Sequence, residues 1–106
     1  MERVCFLHYV KPEFIEEYKR DHQAVDPEML QALTEAGFTN YSLFLREDGL
    51  LVGYFEAEDT KESLRRVNAT EANRIWQQKM LPYFKSGPGD EKKAAIDWLE
   101  QAFYLP

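Results

Sequence analysis

Residues 38–55 read FTNYSLFLREDGLLVGYF. Both ends of this stretch are rich in aromatic and other apolar residues, and between them stands Glu47-Asp48-Gly49, a sequence typical of tight turns. We therefore predict two strands, over 38–45 and 50–55, joined as a β-hairpin. The hairpin decides the fold because it stands at the centre of the chain, with one strand and helical segments before it and further helical segments after it.

The segment before the hairpin predicts a strand followed by two helices. Residues 4–10 are apolar and aromatic, which favours a strand, and Pro12 fits the first turn of a helix. At Asp26-Pro27 the helix restarts, since Asp26 can cap it and Pro27 can occupy its first turn. Gly37 stands where a helix stop is expected. Ring and apolar side chains recur at helical spacing in the first helix: Phe14, Ile15, Tyr18 and His22.

The segment after the hairpin predicts two helix starts followed by a strand. Asp59 followed by Glu62 resembles a capping box, and a second helix start follows at Thr70-Glu71. Apolar residues on this helix are Ala72, Ile75, Trp76 and Met80. Residues 85–90 form a loop, and the apolar stretch 98–105 predicts a closing strand, preceded by a helical turn around 92–96.

The predicted order is therefore β-α-β-β-α-β within a single domain of residues 1–106. This is the α+β, ferredoxin-like arrangement, an antiparallel sheet with its helices on one face. A chain of this length has no further element to cover the other sheet face. Two copies packed sheet to sheet would cover it, which predicts a homodimer built as a dimeric α+β barrel.

Composition excludes several partners. The net charge of −6 argues against nucleic acid and against an anionic membrane surface, which both require basic patches. No apolar run approaches the roughly 20 residues of a membrane span, and the first residues lack the order of a signal peptide. Cys5 is the single cysteine and cannot form an internal disulfide, so we expect a cytoplasmic protein.

Tyr18 and His22 are the first candidates for chemistry. They are four residues apart in the predicted helix and share one face. Histidine exchanges protons near neutral pH, and the end of a helix favours its protonated form, which suits a proton donor. The alternative is a surface histidine on a charged helix face.

His8 is the second histidine and lies in the first strand. Strand alternation places it on the same sheet face as Val4, Phe6 and Val10. It is either the base that complements His22 or a hydrogen-bonded histidine at a sheet surface or subunit interface. Tyr41, Tyr54 and Trp76 are suited to stacking on a sugar, although rings of this kind also fill ordinary cores and interfaces. The sequence contains no metal-ligand spacing, phosphate loop or serine nucleophile motif, which predicts no metal and no cofactor.

An ordered set of residues resembles the L-rhamnose mutarotase family over nearly the whole chain. The set comprises Pro12, Glu16-Glu17-Tyr18, His22, Pro27-Glu28, Gly37, Asn40-Tyr41, Arg74, Trp76 and the ending Phe103-Tyr104-Leu105-Pro106. The resemblance implies a ferredoxin-like dimer that interconverts the α and β anomers of a free aldose, L-rhamnose or a related 6-deoxyhexose, without a cofactor. The substrate is then a small sugar.

The resemblance also assigns roles to individual residues. It implies that His22 is the proton donor and that Tyr18 and Tyr41 bind the sugar. A tryptophan pair of the family corresponds here to Ile75-Trp76, so the resemblance implies that both residues bind the substrate. A tryptophan that precedes Pro-Glu in the family corresponds to Asp26. The partner base stays open between His8, Asp26 and the C-terminal segment. Two alternatives are a monooxygenase-like enzyme on the same dimeric barrel and a non-catalytic module that binds a small ligand.

Overall fold

The computed structural model describes the backbone of residues 1–106 and the side chains of residues 1–89 and 93–106. The strands along this backbone are β1 (Glu2–Tyr9), β2 (Thr39–Leu45), β3 (Leu50–Ala57), β4 (Ser86–Gly87), β5 (Asp90–Ala94) and β6 (Ile96–Leu99). The α-helices are α1 (Ile15–Asp21), α2 (Pro27–Glu35), α3 (Thr60–Asn68) and α4 (Glu71–Met80). None of the described helices is both long and apolar enough to cross a lipid bilayer.

The main sheet has four strands in the order β2-β3-β1-β6, and every neighbouring pair is antiparallel. The first strand therefore lies at the centre, with the last strand on one side of it and the hairpin on the other. Phe6 lies opposite Gly53 on β3 and opposite Trp98 on β6. The predicted ferredoxin-like order is confirmed.

The helix boundaries follow local chemistry. Asp59 accepts a hydrogen bond from the backbone N–H of Glu62, and the Thr70 hydroxyl accepts one from that of Asn73. Such caps satisfy backbone donors that a helix leaves free at its start. Asp26 precedes α2 as predicted, but its carboxylate makes no capping hydrogen bond. Asp26 thus occupies the N-cap position, but the prediction that its side chain caps α2 is wrong, because the N–H of Met29 donates to the Asp26 carbonyl instead.

The core lies between the sheet and the helices. Along β3, buried residues alternate with half-buried ones, and the buried set includes Leu51, Phe55 and Ala57. Trp76 and Met80 of α4 pack into the same cluster. Leu51, Phe55 and Met80 each contribute on the order of 1.5–3 kcal/mol through this burial. The helices therefore cover one face of the sheet.

Gly49 closes the hairpin turn in a conformation that other residues avoid. Its φ is +99°, and a Cβ at this position would overlap the carbonyl oxygen of Val10. The Val10 N–H donates a hydrogen bond of 2.8 Å to the Gly49 carbonyl. The turn is thus fastened to the end of β1, which aligns the hairpin with the central strand.

The C-terminal prediction is wrong in three places, the first being the loop expected over 85–90, which contains β4. A short hairpin of β4 and β5 replaces the helical turn expected around 92–96. The closing strand spans Ile96–Leu99 instead of 98–105, and residues 100–106 have no regular structure. The aromatic tail suggested a strand by composition, but it leaves the sheet after Leu99. Its Tyr104 ring lies 3.4 Å from the guanidinium carbon of Arg3 on β1, a cation–π contact.

Candidate active site

A cavity of about 950 Å³ lies between the sheet and the helices. Its volume exceeds what a single hexose needs and falls in the range of small-molecule sites. Its walls come from strands of the main sheet and from all four helices. Four of the sequence-predicted site residues lie on this wall: Tyr18, His22, Tyr41 and Trp76.

His22 is held between two rings at the end of α1. It stacks on Tyr18 with ring centroids 4.2 Å apart, and it meets Trp76 edge to face at 5.3 Å. Its Nδ1 lies 2.8 Å from the Tyr18 carbonyl oxygen. A carbonyl only accepts, so Nδ1 carries the hydrogen and Nε2 is left for proton exchange. The surface alternative does not describe this histidine, because it is half-buried on the cavity wall.

Tyr18 supplies the ring on which the His22 imidazole stacks. The residue is 4% exposed, and its ring also meets Phe84 edge to face at 5.7 Å. Burial, with a smaller contribution from nearby Tyr41, raises the pKa of the Tyr18 phenol well above its usual value. The phenol therefore stays protonated at all physiological pH values and can donate a hydrogen bond.

Tyr41 reaches the cavity because β2 is irregular. The register against β3 shifts between Thr39 and Ser42, and Asn40 has a φ of +48°. Asparagine tolerates this left-handed conformation better than most residues. Its side-chain amide also donates a hydrogen bond of 3.0 Å to Glu56. This bulge turns Tyr41 to the helix side of the sheet.

The Tyr41 phenol is both accessible and surrounded by protein. Its ring packs on Phe38 and Phe55, each at a centroid distance of 5.7 Å. The residue is nevertheless 40% exposed. A residue on a cavity wall combines the two properties, because protein packs around its ring while a small molecule can still reach it. Burial raises the pKa of Tyr41 to about 12, so this phenol is also a neutral donor.

Ile75 does not join the other predicted site residues. It is 48% exposed and is not among the described residues that line the cavity. The inward face of α4 follows the spacing 73, 76, 77 and 80, which leaves Ile75 to one side. Gln77 lines the cavity instead, and its amide donates a hydrogen bond of 3.1 Å to Asn73. Sequence reasoning missed this pair, although its i, i+4 spacing beside Trp76 was a usable signal.

His8 stands on the sheet side of the same cavity. Its ring lies 4.7 Å from that of Phe84 and meets Phe6 edge to face at 5.4 Å. Its Nδ1 lies 3.0 Å from the Ala95 carbonyl oxygen. Burial lowers the pKa of His8, and the Ala95 hydrogen bond opposes this only in part. The alternation predicted for β1 is confirmed, with Phe6 and Val10 buried on the face that carries His8.

Acidic groups are absent from the described part of the cavity wall. No Asp or Glu among the described residues lines the cavity, and Asp26 therefore lies outside it. The described side chains also contain no group of three or more His, Cys, Asp or Glu arranged to hold a metal ion. The described titratable groups on this wall are therefore two imidazoles, two phenols, Arg74 and Lys93.

Comparison with known proteins identifies the family. The family model for L-rhamnose mutarotase matches residues 3–105. The chain belongs to the L-rhamnose mutarotase family. It is 42% identical over 106 residues to the L-rhamnose mutarotase of Listeria monocytogenes serotype 4b (strain F2365), with 99% of each chain covered. It is 39% identical, with the same coverage, to the L-rhamnose mutarotase of Bacillus subtilis (strain 168). The resemblance found in the sequence is confirmed.

Solved structures agree on the fold of this mutarotase family member. The crystal structure of an L-rhamnose mutarotase from Formosa agariphila covers all of both chains, with a TM-score of 0.82 at 22% identity. An antibiotic biosynthesis monooxygenase covers 96% of this chain and 99% of its own, with a TM-score of 0.64 at 17% identity. At these identities both comparisons show the fold alone. The monooxygenase is thus related in architecture, and nothing in the comparison extends to its chemistry.

Proposed function

We propose that the protein interconverts the α and β anomers of L-rhamnose within the cavity, with His22 as the proton donor. Family membership supplies the reaction, an epimerisation at C1 of a free sugar. The position of His22 on the cavity wall is the observation that supports its assignment as the proton donor. Its Nδ1 is bound to the Tyr18 carbonyl, and its Nε2 is the nitrogen available to a ligand beside Tyr18 and Trp76.

The chemistry needs a proton at the ring oxygen of the sugar. Protonation of O5 lets the C1–O5 bond break, while loss of the anomeric hydroxyl proton turns C1–O1 into a carbonyl. Rotation about C1–C2 and closure on the other face give the second anomer. An imidazole supplies such a proton near neutral pH, with a gain of about 10²–10⁴-fold in rate.

The cavity also offers what a 6-deoxyhexose requires for binding. Trp76 is 6% exposed and lines the cavity with an apolar ring, which suits the apolar face and methyl group of the sugar. Tyr18 and Tyr41 are neutral hydroxyl donors, and the Asn73–Gln77 amides add further hydrogen-bonding capacity. Ile75 lies outside this set, so we do not propose it as a substrate contact.

The two alternative functions fit the cavity less well. A non-catalytic module is favoured only if His22 faces solvent, and His22 lines the cavity between two rings. A monooxygenase-like enzyme is favoured by a uniformly apolar cavity. Here the polar groups Tyr18, His22 and Tyr41 lie on one wall, and the monooxygenase relation is confined to the fold.

Removing the Tyr41 hydroxyl is expected to weaken sugar binding while leaving the fold intact. Tyr41→Phe keeps the ring that packs on Phe38 and Phe55 but loses one hydrogen bond to the sugar, worth about 0.5–1.5 kcal/mol. The KM for L-rhamnose should rise by about 2–12-fold, measured by anomer-exchange spectroscopy. Tyr54→Phe is the matched control, since its hydroxyl binds Glu56 away from the cavity. Equal KM values for the two variants would remove Tyr41 from the binding site.

We also propose that two copies pair through the sheet face that the helices leave open. Across three neighbouring strands, Phe44 lies opposite Val52, and Val52 lies opposite Leu7. Phe44 is 64% exposed, and Leu99, beside Cys5 on the next strand, is 47% exposed. A continuous apolar row of this kind on a sheet face is typical of a protein–protein interface. A homodimer buries it by symmetry.

A charge placed in this row is expected to separate the two copies. In Phe44→Asp, pairing would bury an unpaired carboxylate, so the mass measured by sedimentation should fall from twice 12.5 kDa to 12.5 kDa. Ile75→Asp carries the same charge on the helix side and should remain a dimer. A wild-type protein that sediments as a monomer at micromolar concentration would contradict the pairing.

We place the enzyme in the cytoplasm. Its single cysteine, Cys5, is half-buried and is a free thiol. A protein with a lone thiol and no disulfide fits a reducing compartment. The substrate of the proposed reaction, a free aldose, is chemically compatible with that location.

A further inference from the structure

We infer that His8 is the general base of the anomer exchange, accepting the anomeric hydroxyl proton at Nε2 while His22 protonates the ring oxygen. The inference rests on the proposed function, because it assigns the second proton transfer of the same reaction. It goes beyond the family resemblance, which implies a proton donor and sugar-binding rings but leaves the base open.

The first support is that both imidazoles face one cavity from opposite layers. His8 projects from β1 in the sheet, and His22 stands at the end of α1 in the helix layer. A chain of ring contacts joins them, from His8 to Phe84, to Tyr18 and to His22. A sugar held between the layers therefore meets one imidazole on each side. Concerted ring opening needs two such groups, since one proton leaves O1 while another reaches O5.

The second support is the tautomer that the backbone imposes on each ring. In both histidines Nδ1 contacts a backbone carbonyl, that of Ala95 for His8 and that of Tyr18 for His22. Each Nδ1 must therefore carry a hydrogen, and each Nε2 is the atom that gains or loses a proton. The two imidazoles thus carry their Nδ1 hydrogen in the same way and differ only in the residues that surround them.

The third support is the surroundings of His8. Its ring is enclosed by Phe6 and Phe84, and burial lowers its pKa below the ordinary value of 6.5. The ring is therefore neutral at pH 7, with a free lone pair on Nε2. No carboxylate among the described lining residues competes for the role or would hold a proton on His8. The candidate Asp26 lies outside the cavity.

The proton balance of one turnover is complete with these two residues. The O1–H bond breaks and its proton moves to Nε2 of His8, while the electrons form the C1–O1 carbonyl. The C1–O5 pair moves to O5, which takes the Nε2 proton of His22. After rotation about C1–C2, O5 attacks C1 and returns its proton to His22, and His8 returns its proton to O1. Both imidazoles regain their starting states.

The pH profile separates His8 from its neighbours. The other titratable or charged described groups on the cavity wall are Tyr18, His22, Tyr41, Arg74 and Lys93. Burial raises the pKa of both phenols, and the hydrogen bond with Glu71 raises the pKa of the Arg74 guanidinium, so none of these three groups changes its charge between pH 5 and 8. A fall in kcat/KM toward low pH, with a midpoint below 6.5, therefore reports protonation of His8.

The test is the pH profile of L-rhamnose anomer exchange for the wild type, His8→Asn and His22→Asn. An asparagine amide can still donate to the Ala95 carbonyl but has no basic nitrogen. We expect His8→Asn to lower kcat by about 10²-fold with little change in KM, and to abolish the low-pH limb. His22→Asn should also lower kcat but should retain the low-pH limb.

Three results would overturn the assignment. If His8→Asn exchanges anomers at the wild-type rate, His8 is not the base. If its rate falls but the low-pH limb stays in place, His8 only positions other groups. If the wild type itself fails to accelerate exchange, the proposed function is wrong and the base assignment is wrong with it. This result is distinct from the other two, because it is measured on the wild type and not on a variant.

Discussion

Replacing His22 by asparagine is expected to reduce kcat for L-rhamnose anomer exchange by about 10²–10⁴-fold. The loss corresponds to about 3–5 kcal/mol of transition-state stabilisation, since each tenfold change is 1.36 kcal/mol. The asparagine amide can keep the hydrogen bond that Nδ1 makes with the Tyr18 carbonyl, at 2.8 Å in the wild type. The substitution therefore removes the exchangeable proton at Nε2 and preserves the local backbone contact.

The measurement is polarimetry of freshly dissolved α-L-rhamnose, with enzyme concentration varied. Circular dichroism of the variant should match the wild type, because His22 caps the end of a short helix and lies on a cavity wall outside the packed core. His22→Ala removes the hydrogen bond as well and should be no more active than His22→Asn. An asparagine variant within threefold of the wild type would rule out His22 as the donor.

Substituting alanine for Gly53 is expected to damage both stability and catalysis. Gly53 pairs with Phe6 across β1 and β3, and a Cβ at Gly53 would overlap the Phe6 ring. That ring cannot move freely, since it is 4% exposed and contacts four other rings: His8, Tyr41, Phe55 and Trp98. Overpacking of this kind costs about 1–3 kcal/mol. Displacement of Phe6 would also shift His8 and Tyr41, so kcat/KM should fall.

Gly87→Ala is the matched control for this prediction. A Cβ at Gly87 would have no atom closer than 3.5 Å, which is ordinary van der Waals contact. Its free energy of unfolding, measured by urea denaturation, should therefore equal that of the wild type. Gly53→Ala should unfold at a clearly lower urea concentration. Equal midpoints for the two variants would show that Phe6 moves freely and that the ring cluster does not hold the cavity in shape.

The strand and helix order followed from local sequence signals. The turn at Gly49, the caps at Asp59 and Thr70 and the alternation along β1 each act over a few residues, and each predicted the observed element. The same alternation placed His8 on the buried face. Such signals are reliable because backbone geometry and side-chain hydrogen bonds within a few residues enforce them.

The parts of the site that depend on several elements together were harder to predict. Tyr41 faces the cavity because of the bulge at Asn40, which only pairing with β3 reveals. The face of α4 that lines the cavity includes Gln77 but not Ile75, and the packing of α4 against the sheet decides which face this is. The tail after Leu99 had the composition of a strand but found no strand partner. In each case a tertiary contact overrides a local pattern.

The central claim is that L-rhamnose is held against Nε2 of His22 in the cavity between the sheet and the helices. Nitrogen-15 NMR of the two imidazoles tests it most directly, with and without saturating L-rhamnose. We expect the Nε2 resonance of His22 to shift on sugar binding, while its Nδ1 stays protonated by donation to the Tyr18 carbonyl. An Nε2 resonance that does not respond to a sugar whose anomers the enzyme exchanges would contradict the claim and place the reaction elsewhere on the protein.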